Sequence, residues 1–307
     1  MREILTLFTS PKPFTNPHIA LIQRNAIRSW VELGQDVQVI LMGDEAGVAE
    51  AASEFGVLHF PEVKRNPEGT PLLSSLFSKA REANASSILA FANADILFFD
   101  DFLISAKQIH ALAREYLVVG QRWDLQVNTP LDFSPNWQER VLAQCDQTGK
   151  LHKPTGSDYF IYPRRCFPTI PDFAIGRGGW DNWMLYQARS QGWKLIDATS
   201  SIRVIHQDHD YAHLPGGLPH YHLPETNENV RLAGGKRHIF LLQDVNWRFA
   251  NQKLVRPAFT WKRFWREVEI FPLVKLHSEI LGEIFFALFH PRQAYNEFRK
   301  RNKERNQ

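Results

Sequence analysis

The sequence predicts an α/β protein, with a mainly parallel sheet flanked by helices and a helical C-terminal extension. Three observations carry that expectation. The first sixty residues alternate strand, helix, strand, helix, strand, the pattern of parallel strands joined by right-handed crossovers. The stretch Ser87–Asp101, SILAFANADILFFDD, is an apolar run bounded by polar residues and reads as a strand covered on both faces. Near the C-terminus, aromatic residues alternate with Lys and Arg before Leu276, Ile280, Leu281, Ile284, Phe285 and Leu288 recur at helical spacing.

Taken in order, Ile4 to Phe8 is the first strand, and Thr9-Ser10-Pro11 ends it. Asn16-Pro17 is an N-cap followed by Pro at the first helical position, and the apolar spacing from Ile19 to Leu33 runs to Gly34. Val37 to Met42 is the second strand, closed by Gly43-Asp44. A short helix over 45–55 and a strand over 57–60 complete the first unit. The polar segment EVKRNPEGTP leads to a helix over 72–83, and the Ser87–Asp101 strand follows. A helix over 102–114 precedes a strand over 116–120. Residues 121–154 have few periodic cues beyond a short helix over 137–145. Further strands are expected at 159–162, 193–197 and 202–205, with a helix from Trp183 to near Gly192. Residues 239–242 look helical.

Composition sets limits on function. The 307 residues are 44% hydrophobic and 22% charged, as in ordinary globular proteins, and allow one large domain or two. Net charge is +3, but the tail from Arg292 to Gln307 alone carries +4, so the rest of the chain is close to −1. A neutral body argues against a nucleic-acid partner, which calls for a basic face. Two cysteines, Cys145 and Cys166, make no disulfide or zinc framework and fit a reducing, cytoplasmic compartment. The N-terminus has too short an apolar run for a signal peptide, and no window reaches the roughly 18 apolar residues of a spanning helix.

Polar residues gather at a few points along this frame. Asn93 and Asp95 end a buried strand, where the carboxyl ends of α/β strands open on a ligand crevice, and their oxygens suit Mg²⁺ or Mn²⁺ holding a diphosphate. The plain alternative is a capping Asp. Gly176-Arg177-Gly178-Gly179-Trp180-Asp181-Asn182-Trp183 permits close backbone approach and puts Asp181 at or within the first turn of a helix. HQDHDYAH places His206, Asp208, His209, Asp210 and His213 in eight residues. Of these, His206 directly follows a buried strand and is the one expected to face the crevice.

The order of these points resembles the glycosyltransferases of the GT-A fold. Asn93-Ala94-Asp95 is similar to their metal-binding Asp-x-Asp motif, with Asn in place of the first Asp, which leaves Asp95 as the firmer ligand. Gly178-Gly179-Trp180-Asp181-Asn182 is similar to the Gly-Gly-Glu-Asp-Asp signature of the β-1,4-galactosyltransferase type, with only Asp181 matching its acidic centre. Ile202-Arg203-Val204-Ile205-His206 looks like the later segment that supplies a metal-binding His.

The resemblance covers roughly residues 1 to 215 and implies a metal-dependent, inverting transfer of a sugar from a UDP- or GDP-sugar to a hydroxyl of a glycan, lipid or protein. Asp95 and His206 would hold Mn²⁺ or Mg²⁺, and Asp181 would be the general base. Thr9, Ser10, Asp44, Arg65, Asn93 and Asp95 are the expected donor contacts, and Asp158, Trp180 and Trp183 the expected acceptor contacts. Residues 216–255 are then a loop-rich lid or acceptor region. Residues 256–307 are a helical, basic extension that packs on the body or lies peripherally on the cytosolic face of a membrane.

Three other classes compete. A sugar-phosphate nucleotidyltransferase should carry a Gly-rich basic loop after the first strand, and FTSPKPFTNP has one Lys and no Gly. A non-catalytic nucleotide- or sugar-binding scaffold would keep the sheet without turnover. A metallohydrolase built on HQDHDYAH would leave Asn93-Ala94-Asp95 and Asp181 unexplained.

Overall fold

The computed structural model describes residues 4–209 and 223–305, with side chains to residue 299. The chain begins β1 (Leu5–Thr9), α1 (Pro17–Val31), β2 (Val37–Met42), α2 (Val48–Phe55), β3 (Leu58–Phe60), α3 (Leu73–Glu82) and β4 (Ile88–Ala92), as the alternation predicts. Asn16 caps α1, its side chain accepting from the N–H groups of His18 and Ile19, with Pro17 next to it. After β4 come β5 (Ile96–Leu97), α4 (Asp100–Leu112), β6 (Tyr116–Val119), β7 (Trp123–Leu125), α5 (Trp137–Thr148), β8 (Lys150–Leu151) and β9 (Tyr159–Pro163). Then follow α6 (Trp180–Ser190), β10 (Lys194–Asp197), β11 (Ile205–Gln207), α7 (Pro224–Leu232), β12 (Trp247–Ala250) and β13 (Lys253–Val255). The chain closes with α8 (Trp261–Lys275), α9 (Glu279–Phe289) and α10 (Pro291–Arg305).

Nine strands form the main sheet in the order β13-β12-β10-β6-β9-β4-β1-β2-β3. It is mainly parallel; β9 runs antiparallel to β4 and β6, and β13 antiparallel to β12. The apolar runs are continuous because both faces are covered. Leu5 and Leu7 of β1, with Ile88, Ala90 and Ala92 of β4, pack against Trp30 on one face. Phe8, Leu89 and Phe91 point to the other and meet Phe77, Trp180 and Trp183.

Three expectations change, the first being that the strand expected over 202–205 lies at Ile205–Gln207, so His206 is its middle residue and does not follow it. Ser87–Asp101 is not one strand: the chain turns at Asn93–Asp95, and β5 joins a second, four-stranded sheet, β5-β11-β7-β8. Beyond the turn the apolar residues alternate between two cores: Ile96 and Phe98 join Trp30 and the β4 side chains, while Leu97 and Phe99 pack with Leu125, Trp137 and Val141. The helix expected over 239–242 is absent. Short 3-10 turns flank that position at Lys236–His238 and Leu242–Asp244, and Phe240 between them is buried.

The C-terminal helices attach through α8. Its Ile270, Leu273 and Val274 are buried, and Arg189 of α6 donates to Glu267 at 2.6 Å. Among the described residues, no helix is long and apolar enough to cross a membrane.

Candidate active site

Asp95 is the buried centre of the site. It sits on the turn leaving β4, and Gln207 of β11 fixes it by donating to its carbonyl from both the backbone N–H and Nε2, each at 3.2 Å. The Asp95 carboxylate lies 3.1 Å from His209 Nε2 and 3.9 Å from His206 Nε2. One ligand atom from each of the three residues falls within 4.8 Å of the others. Asp95 Oδ1 is buried without a hydrogen-bond partner, an expensive state for a carboxylate oxygen unless a cation meets it. Burial pushes the Asp95 carboxyl up, yet His206, His209 and Lys12 outweigh it and hold the group well below the ordinary carboxylate range. The donor set of one carboxylate and two imidazoles therefore fits a divalent cation.

Around His206 a second set of groups fixes the imidazole. β11 pairs with β7 so that His206 lies opposite Asp124, and His206 Nδ1 is 3.3 Å from Asp124 Oδ1 and 3.5 Å from Asp208 Oδ1. Burial alone would lower His206, but Asp124, Asp208 and Asp95 raise it to about 9. Asp124 also accepts from Arg122 Nε at 2.8 Å and lies 2.7 Å from His152 Nδ1. Arg122 then donates through Nη1 to Asp158 at 2.6 Å. The same Asp158 oxygen accepts from Asn93 Nδ2 at 2.9 Å. A continuous polar chain thus runs from Asp95 through His206, Asp124 and Arg122 to Asp158.

Asp181 stands outside that chain, near enough to Asp158 for the two carboxylates to repel. It is the second residue of α6, behind Gly179, whose φ of 105° belongs to the left-handed region. A Cβ at Gly179 would lie 3.3 Å from Val230 Cγ2, a tight contact, so it is chiefly the conformation of the turn that calls for glycine. Asp181 is not the helix cap, and its Oδ1 is buried without a hydrogen-bond partner. Burial pushes its carboxyl up to about 6 against the backbone N–H groups at the helix start, and the Asp158 carboxylate adds to the rise. It borders a narrow cleft with Ser157, Asn182, Leu185 and Leu241.

The other expected donor contacts gather at the carboxyl ends of β1 and β2. Thr9 Oγ1 is buried and unpartnered, and Ser10 Oγ would stand 3.5 Å from a Cβ placed on Gly43. Arg65 pairs with Asp44 and, at 2.9 Å, with Glu45. Asn93 donates through Nδ2 to Asp158 at 2.9 Å. Of the acceptor candidates, Asp158 is buried within the polar chain. Trp180 and Trp183 are core residues, 6% and 8% exposed. Trp180 packs edge-on to Phe91 at 5.3 Å and Trp183 lies 5.2 Å from Phe173, so both indoles anchor the start of α6 in the core instead of offering a face to a sugar.

Several residues of the site escape a sequence reading. His209 is closer to Asp95 than His206 is, although nothing in HQDHDYAH singles it out. Lys12 Nζ comes within 3.3 Å of His209 Nε2 from the loop after β1, and burial lowers its pKa against the attraction of Asp95. Asp124 belongs to a strand of three residues without an apolar run, and Arg122 immediately precedes it. Asp210 and His213 lie outside the described residues, as do Pro215, Gly216, Gly217 and Pro219 of the expected lid.

No protein-family model matches the sequence, and no curated protein matches it. Solved structures do. The chain is similar to the mannosyltransferase PcManGT from Pyrobaculum calidifontis in complex with GDP-Man and Mn²⁺, at 16% identity and a TM-score of 0.43. That match takes in 67% of this chain and 57% of the other, so it spans little more than half of the mannosyltransferase. Glucosyl-3-phosphoglycerate synthase from Mycobacterium tuberculosis, with Mg²⁺ and UDP, is similar at 13% identity and a TM-score of 0.47, over 76% of this chain and 80% of that one. The same enzyme with Mn²⁺, UDP and glucosyl-3-phosphoglycerate matches 85% of this chain and 88% of its own at 13% identity and a TM-score of 0.46.

Proposed function

We propose that this chain is a metal-dependent, inverting glycosyltransferase of the GT-A type that moves a sugar from a nucleoside-diphosphate donor to an acceptor hydroxyl. The observation that carries the reading is the presence of two centres, a cation site at Asp95, His206 and His209 and a raised carboxyl at Asp181. The two imidazoles favour Mn²⁺ over Mg²⁺, which prefers oxygen ligands.

When bound, the cation offsets charge on the departing diphosphate. Asp181, ionised, accepts the proton of the acceptor hydroxyl as that oxygen bonds to the anomeric carbon. The bond from that carbon to the donor phosphate oxygen breaks, and the diphosphate leaves with the electron pair. Attack opposite the leaving group inverts the anomeric centre. Thr9, Ser10, Asp44 and Arg65 are assigned to the nucleoside of a UDP- or GDP-sugar. Lys12 is assigned to the diphosphate, being the cationic side chain beside the metal ligands. Arg122 and Asp158 position the acceptor side relative to the cation, and the acceptor belongs to a glycan, a lipid or a protein. Residues 1–215 are the donor and catalytic part in this reading, and 216–255 the acceptor side.

The test is a thermal-shift panel of UDP, GDP, CDP and ADP, each with and without Mn²⁺. A ligand that binds only the native state raises Tm, by about 2.7 kcal/mol of added stability at a hundredfold excess over Kd. The expected result is a rise for one diphosphate that requires Mn²⁺ and vanishes in Asp95→Ala. No rise for any of the four would sink the donor site.

A further inference from the structure

We propose that the outer face of α8–α10 is a docking surface for an anionic membrane, on which the helices lie in the plane of the interface. Of the seventeen large apolar side chains exposed among the described residues, twelve fall between Phe259 and Phe298. Exposed apolar side chains concentrated in one segment in this way mark an interaction site. The sequence leaves packing on the body and contact with a membrane as alternatives, and the structure divides them between the two faces of the same segment.

The inner face is taken. Gly282 is the one residue of α9 that is buried, at a crossing with α8 so close that a Cβ there would lie 2.5 Å from Leu273 Cδ2. Arg237 ties both later helices to the body. It donates to Glu283 at 3.2 Å and to Glu297 at 2.7 Å, with its guanidinium over Phe286. Facing away, Ile280 and Leu288 are 77% and 70% exposed and lie two helical turns apart with Ile284 between them. Trp261 is 68% exposed at the start of α8.

Charge decides the occupant. The exposed aromatic residues of α10 share their surface with cations: the Arg299 guanidinium stands 5.9 Å from the Tyr295 ring. Beyond it the sequence KRNKER continues the +4 tail. A second copy of the chain would bring two such tails together, whereas anionic headgroups complement them. At eleven residues α9 is about 16 Å long, half of the roughly 30 Å hydrocarbon core, so these helices lie on a bilayer and do not cross it. Aromatic and aliphatic side chains on one face with a basic flank are the composition of an interfacial helix.

The experiment is vesicle co-sedimentation of the full chain without donor or metal, so its outcome is independent of the glycosyl-transfer reading. The vesicles are phosphatidylcholine, alone or with about 30 mol % phosphatidylglycerol. Binding is expected to the anionic vesicles and to weaken with added salt. Ile280→Ser with Leu288→Ser, and separately Arg292→Gln with Arg299→Gln, should each weaken it about tenfold or more. Both pairs are surface positions, and circular dichroism melts establish that the variants fold. Failure to bind anionic vesicles overturns the proposal, as does equal binding to neutral ones. A dimer in sedimentation that the Ile280/Leu288 pair disperses assigns the face to a second copy and overturns it too.

Discussion

The Asp181 side chain is half-buried with Oδ1 shielded from solvent, a setting that favours its neutral form. A carboxyl raised to about 6 stays largely neutral at pH 5 and is ionised at pH 8, where it can take a proton. The rate kcat/KM is therefore expected to rise with pH up to a plateau above pH 6, and Asp181→Asn to lower kcat by about 100- to 10,000-fold. The same residue makes an opposite prediction for stability. Its folded value lies above the unfolded one near 4, so the neutral form is favoured on folding, and that contribution is present below pH 4 and lost as pH rises through 6. Ionising it costs on the order of 3 kcal/mol, which Asp181→Asn escapes. The variant should melt higher than the parent at pH 8 and equally at pH 4. Equal Tm values at both would place Asp181 in solvent, and a wild-type kcat would remove it from proton transfer.

At the scale of elements, the site depends on which strands lie side by side. β7 and β11 run parallel with Asp124 directly opposite His206, which brings the carboxylate to 3.3 Å from Nδ1 while Nε2 lies 3.9 Å from Asp95. Carboxylate partners of this kind orient a ligating imidazole and raise its basicity. Asp124→Asn is expected to weaken Mn²⁺ binding in calorimetric titration by about 10- to 100-fold, with Asp95→Ala as the reference that abolishes it. An unchanged Kd would make Asp124 a partner of Arg122 and His152 alone. Long apolar runs were legible in the sequence, which is why β1, β2 and β4, with Asp95 on the turn after β4, follow from it. The second sheet was not legible. Its strands are two or three residues long, and Arg122-Trp123-Asp124 has no apolar period to read. Ser87–Asp101 misleads for the converse reason: both halves are apolar, but the second divides its side chains, Ile96 and Phe98 staying with the main core while Leu97 and Phe99 pack in the second. Trp180 and Trp183 look like sugar platforms only until the core behind α6 is built, because burial of an indole depends on neighbours from distant strands.

For the molecule as a whole, burial is uneven in a way that ties stability to location. The main sheet is packed on both faces by side chains from helices α1, α3, α4 and α6, whereas α9 buries only Gly282. Segments with few buried apolar contacts open at lower free energy than the core that surrounds them. Amide hydrogen exchange should therefore be slowest in β1 and β4, approaching global unfolding, and markedly faster in α9 and α10. Both helices are short, and isolated helices of this length are marginal in water, so their order depends on contacts to α8 and Arg237. An apolar surface covered by lipid supplies the contacts that water withholds. Adding vesicles with about 30 mol % phosphatidylglycerol should slow exchange in α9 and α10 while leaving β1 and β4 unchanged. Slow exchange in α9 and α10 without lipid, matching the sheet, would mean that the extension belongs to the same cooperative unit as the core and gains nothing from a surface.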